Sequence, residues 1–199
     1  MRYDAEHKER THKRLLKAAA EALRSEGPER IGVAALMARL GLTHGGFYAH
    51  FGSKDDLVTA SIDEMFDESL AGIMKMAAEL TPAEALTRYI DFYLSDRHAG
   101  APGRGCALPA LAADVSRLGH AARKRFAAGT ERLIQWLAAQ LRALGHDDAE
   151  ALRLATSVMA ELCGAVALAR AVDSGRQSSE IRARCGAAIK ERLGLAKSA

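Results

Sequence analysis

Apolar residues recur at three- and four-residue spacing along nearly the whole chain, and that period predicts helices almost throughout. Over 6–26, Leu15, Leu16, Ala19, Ala22 and Leu23 form one stripe, with Lys8, Arg10, Lys13, Arg14 and Lys17 at other positions. Gly27-Pro28 ends that helix. A short helix follows over 33–39, stopped at Leu40-Gly41, and Thr43 is placed to cap a third over 44–50. Ser53 caps a long fourth helix reaching about residue 78, striped by Leu57, Ile62, Met65, Phe66, Leu70 and Ile73. Thr81-Pro82-Ala83-Glu84 has the cap, proline and glutamate of a helix start, and that helix runs to about Arg97. The stretch 98–105 is Gly- and Pro-rich and reads as a loop. Helices over about 106–114, 118–144, 147–172 and 178–193 complete the chain. The expected fold class is all-α.

Composition agrees. Of 199 residues 49% are hydrophobic, enough for a sizeable core, while aromatics are only 5% and prolines number 4. The net charge of +3 is too small to mark a nucleic-acid binder, but its distribution is uneven: residues 1–54 carry +4 and the remainder −1. The N-terminal stretch is charged from Arg2 to Lys17, unlike a signal peptide, and no apolar run approaches ~20 residues, so no membrane span is expected. Cys106, Cys163 and Cys185 are odd in number and widely spaced, which fits a reducing cytoplasm better than a disulfide framework.

The stretch 41–54, Gly-Leu-Thr-His-Gly-Gly-Phe-Tyr-Ala-His-Phe-Gly-Ser-Lys, is too polar and too Gly-rich to be mere core filling. With the helix before it, it makes a helix-turn-helix pattern, a thin helix with phosphate anchors at both ends. The spaced residues Leu15, Leu16, Ala18, Ala19, Leu23 and Gly27, then Val33, Leu36, Leu40-Gly41-Leu42-Thr43, then Gly45, Phe47-Tyr48, His50-Phe51, Ser53-Lys54 and Leu57 resemble the N-terminal domain of the tetracycline-repressor (TetR) family. That resemblance implies an N-terminal three-helix DNA-binding domain over 1–52. It also implies a larger helical ligand-binding and dimerisation domain over 53–199.

Within the motif, Thr43, Tyr48, His50 and Lys54 are the expected phosphate anchors, Lys54 at the positive end of the fourth helix. His44, Gly45 and Gly46 lie in the first turn, nearest base edges, where only His44 offers a long polar side chain. Phe47 and Phe51 read as the small core beneath. The chain departs from the family pattern at Gly32, where a Thr or Ser usually caps the second helix, and at Ala34 and Ala35, where polar contacts are common; Arg39 is the residue expected to compensate.

A regulator reading two half-sites needs a dimer. The last two long helices are the expected interface. Leu152, Ala155, Met159, Leu162, Val166 and Ala169 share one stripe of 147–172, while Gly164, Ala165, Ala167, Leu168 and Ala171 keep its opposite side apolar, so the helix is expected to be buried on both sides, by its own core and by a partner. Ile181, Cys185, Ala188 and Ile189 give the final helix a matching face. The resemblance implies an effector pocket inside the larger domain, for which Met65, Phe66, Tyr89, Phe92, Tyr93, Leu108, Phe126, Thr130, Trp136, Met159 and Cys163 are candidate walls. Cys106, after the Gly-rich loop and near Arg104, is a candidate reactive thiol, because a helix N-terminus and a nearby cation lower a thiol pKa.

Enzymatic signatures are missing: the sequence has no P-loop spacing, nucleophile elbow, Cys-x-x-Cys or His-Glu-x-x-His, and no cofactor or metal is expected. The expected function is a ligand-responsive regulator, a repressor on a palindromic operator, released by a small molecule or by cysteine modification. The alternative is a cytosolic small-molecule-binding helical dimer whose DNA head has lost specificity.

Overall fold

The computed structural model describes residues 2–172 and 175–195, and among them every regular element is helical. The helices are α1 (Arg2–Glu26), α2 (Val33–Arg39), α3 (Lys54–Ala77), α4 (Pro82–Tyr93), α5 (Asp96–Ala99), α6 (Ala107–Val115), α7 (His120–Ala143), α8 (Asp148–Ala171) and α9 (Gly175–Arg192). Two 3-10 segments, His44–Ala49 and Pro102–Arg104, lie between them.

The caps form as read. Ser53 accepts the Asp56 N–H at 3.1 Å. Thr81 and Glu84 close a reciprocal capping box, and Asp147 accepts the Glu150 N–H at 2.9 Å. Each satisfies a backbone donor that the first helical turn leaves open.

Two features depart from the expected pattern. The third helix is a 3-10 helix, not an α-helix: the Gly46 and His50 amides reach back three residues, to Thr43 and Phe47. Gly45 and Gly46 are poor α-helix formers, and a six-residue segment held at both ends takes the tighter winding. The fifth helix also stops early, at Tyr93, and restarts as α5 behind the Ser95 cap. Arginines from the far end of the chain hold the break. Arg182 on α9 donates to the Leu94 carbonyl at 2.6 Å and to Asp96 at 2.5 Å, and Arg170 on α8 donates to the Ala99 and His98 carbonyls at 3.0 and 3.1 Å.

Two cores result. A small one joins Leu15, Ala19, Leu36, Met37, Phe47, Phe51 and Leu57. A large one runs through α3, α4 and α6–α9, and also takes in Ala20 and Leu23 of α1 and Val58 of α3. Helices α1 and α3 therefore cross both cores, with successive faces turned into each. The joint between head and body is packed helix on helix, without a flexible linker.

Helix α8 is the one described helix long and apolar enough by composition to cross a bilayer, although Arg153, Glu161 and Arg170 interrupt it. In the fold it is a core helix. Ala155, Met159, Leu162, Val166 and Ala169 are buried in this chain's own core, and of the stripe containing them only Leu152 is exposed. Ala167, Leu168 and Ala171 face outward on the other side, and Leu168 keeps 59% of its surface exposed. In α9, Ile189 is buried and Ile181 and Cys185 pack partly buried on the same core, leaving Ala188 exposed. One side of α8 is thus spent on this chain's own core, with Ala165 buried as well, while Ala167, Leu168 and Ala171 on the other side stay exposed.

Candidate functional site

The helix-turn-helix head presents a short outer surface. Phe47 and Phe51 are buried and stacked with ring centroids 5.9 Å apart, and they seat the 3-10 helix on α1 and α2. Because that floor is fixed, Tyr48 stands out 63% exposed, edge-on to His44 at 6.0 Å. A Cβ at Gly45 would meet no atom within 4 Å, so the surface beside Tyr48 is open to a close-approaching ligand. Thr43 caps the segment by accepting the Gly46 N–H at 3.3 Å, which leaves its hydroxyl proton to give.

Three other motif residues are placed differently from expectation. Lys54 is half-buried, with Nζ donating to the Glu29 carbonyl at 3.2 Å, and Asp55 and Asp56 share its helical turn. Arg39 is paired with Glu21 of α1 at 3.2 Å rather than standing free. His50 packs toward α1, its ring centroid 5.9 Å from that of His12, and its Nδ1 is buried without a partner. Burial, then the charges of His12 and Lys8, hold its pKa below the usual histidine value. A neutral imidazole in that position is a weaker phosphate donor than a free one.

A second site opens in the larger domain, a cavity of about 640 Å³ between α3, α4, the last turn of α1 and the segment 97–106. Its apolar wall includes Ile73, Met76, Tyr89, Phe92, Tyr93 and Leu133. Of the residues expected from sequence, Tyr89, Phe92, Tyr93 and Cys106 line it. Met65, Phe66, Phe126, Met159 and Cys163 do not, and neither do Leu108, Thr130 and Trp136. Met65, Phe66 and Met159 are buried core, and Phe126 packs edge-on to Phe66 at 5.5 Å. Their helical stripe faces the neighbouring helices, which fill the space before a ligand could.

Sequence reasoning missed the polar part of this wall: Arg24, Glu68, Lys75, Arg88, Arg97, His98 and Arg104. Arg24 ends α1 and looks like an ordinary basic helix terminus. Its burial depends on Glu68, forty-four residues away, whose carboxylate lies 2.7 Å from its Nη2.

His98 braces the cavity floor. The Cys106 N–H donates to its Nε2 at 3.0 Å, so the proton sits on Nδ1, which donates to the Tyr93 carbonyl at 2.8 Å. Burial, partly opposed by the Tyr93 bond, pulls its pKa down to about 4 from 6.5. A histidine held neutral in the folded chain stabilises fully above pH 6.5, and that stability is lost as pH falls toward 4, because only the unfolded chain takes up the proton. Between pH 7.5 and 5 the stability advantage of the wild type over His98→Gln should shrink by about 2 kcal/mol, read by urea unfolding. A constant difference would contradict the neutral strut.

Cys106 does N-cap α6, as expected, but the consequence drawn from that position reverses. The residue is buried, and burial pushes its thiol pKa up, more than the Leu108 amide, the Tyr93 hydroxyl and the charges of Arg24 and Arg170 pull it down. Cys163 is raised to about 11 by burial. All three cysteines are free.

Comparison with known proteins follows the same division of the chain. Residues 15–60 match the family described as bacterial regulatory proteins, tetR family. Residues 82–184 match the C-terminal domain described as transcriptional regulator LmrA/YxaF-like. No curated protein matches. Among solved structures, a TetR-family regulator from Agrobacterium tumefaciens is 24% identical, with 96% of this chain and 100% of that one covered and a TM-score of 0.78. Reduced NemR of E. coli is 20% identical over 91% and 95% of the two chains, with a TM-score of 0.79. SCO4454, a TetR-family regulator of Streptomyces coelicolor, is 21% identical over 91% and 94%, with a TM-score of 0.74.

Proposed function

Because this chain belongs to the TetR family of bacterial regulatory proteins, we propose that it is a cytoplasmic repressor that binds a palindromic operator as a dimer and releases it when a small molecule enters the cavity. Transcription regulation by DNA binding, with a helical ligand-binding domain and dimeric assembly, is the family's character. The finer assignments are ours. Residues 1–52 bind DNA, and 53–199 bind the effector and dimerise. Tyr48, Thr43 and Lys54 hold phosphates, with Arg39 and His50 as secondary contacts, and His44, Gly45 and Gly46 face the bases. The outward row of α8, with Leu152, Ala160, Leu168 and Ala171, meets its copy across the dimer axis, with α9 beside it.

The observation that carries the reading is Tyr48, an aromatic hydroxyl left 63% exposed on a thin helix whose other ring is locked in the core. A buried floor with an exposed polar reader above it suits docking into a groove. Gel-shift titration against DNA from the protein's own promoter region, across salt, tests it. A specific complex whose affinity falls steeply with salt is the expected result. Affinity no greater than for random DNA would favour the cytosolic ligand-binding dimer instead.

Release by cysteine modification is a second reading, supported by the place of Cys106 in the cavity wall. A protonated thiol there reacts only with an electrophile that has entered the cavity. Equal operator release from wild type and Cys106→Ser on quinone or peroxide treatment would remove it.

A further inference from the structure

The cavity wall has a lopsided charge. Lys75, Arg88, Arg97 and Arg104 are exposed at its edge, and none forms an ion pair among the described residues. Elsewhere on the surface arginines pair freely: Arg125 with Asp63, Arg132 with Asp67, Arg153 with Glu150. The single acid in the lining is Glu68, and Arg24 already holds it at 2.7 Å. The remaining wall is aromatic and aliphatic.

The interior holds donors that are not fully used. Arg24 keeps only 5% of its side-chain surface, and its Nε has no hydrogen-bond partner. The Tyr93 hydroxyl, on a residue 1% exposed, lies beside the Cys106 thiol with no partner of normal geometry. Buried polar atoms without partners cost stability unless something supplies the bond. Both belong to residues lining the cavity, and both can donate to an acceptor-rich group.

We propose that the effector is an organic anion, an apolar body bearing a carboxylate or a similar acidic group, whose charge is drawn in by the four edge cations and taken up by Arg24 in competition with Glu68. The inference rests on the cavity being the effector site. It adds a link to the DNA head. Arg24 ends the helix whose Leu15 and Ala19 sit in the small core under the reading segment, and Glu68 lies on α3, whose Leu57 sits in that same core. An anion that takes Arg24 from Glu68 loosens the α1–α3 tie at the point where both helices pass from body to head.

The test uses two fluorescent probes of nearly the same body, anionic anilinonaphthalene sulfonate and neutral phenylnaphthylamine, titrated into the full chain. The sulfonate should bind about tenfold or more tightly, as charged hydrogen bonds require. The triple variant Arg88→Gln, Arg97→Gln, Arg104→Gln should lose most of that preference with the neutral probe unaffected. Glu68→Gln, which frees Arg24, should tighten the sulfonate alone by roughly threefold or more. Gly72 lines the cavity and a Cβ there meets no atom within 4 Å, so Gly72→Leu should fill it and weaken both probes. Equal affinity of the two probes, both weakened by Gly72→Leu, would overturn the anion preference and leave the effector site standing. A preference that survives the triple variant and ignores Glu68→Gln would place the anion elsewhere and also overturn the proposal. Indifference of both probes to Gly72→Leu would overturn the effector site itself.

Discussion

Gly129→Val should cost the protein about 3 kcal/mol of stability or more, enough to lower its melting temperature by roughly 6 °C. Gly129 lies inside α7 where that helix crosses α3, and a Cβ there would sit 2.1 Å from Cδ2 and 2.3 Å from Cγ of Phe66. Those distances are far inside contact, so the ring must move. Phe66 is fully buried and backed edge-on by Phe126, so its displacement disturbs a second ring and then the α3–α7 seam. In an open helix, replacing glycine by alanine gains up to about 1 kcal/mol. Gly72→Ala on exposed α3 should show that gain, and Gly129→Ala should show a loss instead. Thermal unfolding of the three variants checks it: a Gly129→Val protein as stable as wild type would mean α3 and α7 do not approach this closely.

That glycine also shows where reading the chain as a string stops. Its position in a helical run was legible; the need for it was not, because Phe66 lies 63 positions away and only the folded crossing brings them together. Local signals located their elements well. Thr81 with Glu84, Asp147 with Glu150 and Ser53 with Asp56 each mark a helix start by a bond made within four residues. The break after Tyr93 was not legible, since its carbonyls are held by Arg170 and Arg182 from α8 and α9. The same distinction governs the sites. The outline of the helix-turn-helix head follows from closely spaced residues that pack and cap locally. The cavity combines the end of α1 with α3, α4 and a loop, so an apolar stripe pointed to Met65, Phe66 and Met159, which other helices cover. Nothing near Arg24 in sequence marks it for burial, because its partner Glu68 lies on another helix. Cys106 had the helix N-terminus that lowers a thiol pKa, and burial, a property of the whole fold, outweighed it.

On its operator, the double variant Tyr48→Ala, Lys54→Ala should bind about a hundredfold more weakly than wild type, as loss of two phosphate anchors implies. The two changes act differently. Removing the Lys54 charge should reduce the slope of log affinity against log salt by about 1, whereas Tyr48→Ala, a neutral loss, should weaken binding with the slope unchanged. Tyr48→Ala should be the costlier of the two changes: Tyr48 is already displayed, whereas Lys54 must leave the Glu29 carbonyl and has Asp55 and Asp56 beside it. His44→Ala should behave in a third way, altering which operator bases are preferred more than overall affinity, because it is the one long polar side chain in the first turn of the segment. Gly45 and Gly46 follow it, so on the proposed function few base-edge contacts are expected, and much of the discrimination should come from how readily a given sequence takes the shape that suits the proposed phosphate contacts of Tyr48 and Thr43. Operators selected from random DNA should then show strong constraint at the few positions His44 reaches and a preference for deformable steps between half-sites. If the double variant keeps its affinity and its salt slope, the phosphate contacts lie instead with the exposed basic residues of α1, Lys8, Arg10 and Lys13, and the exposed ring of Tyr48 has another use.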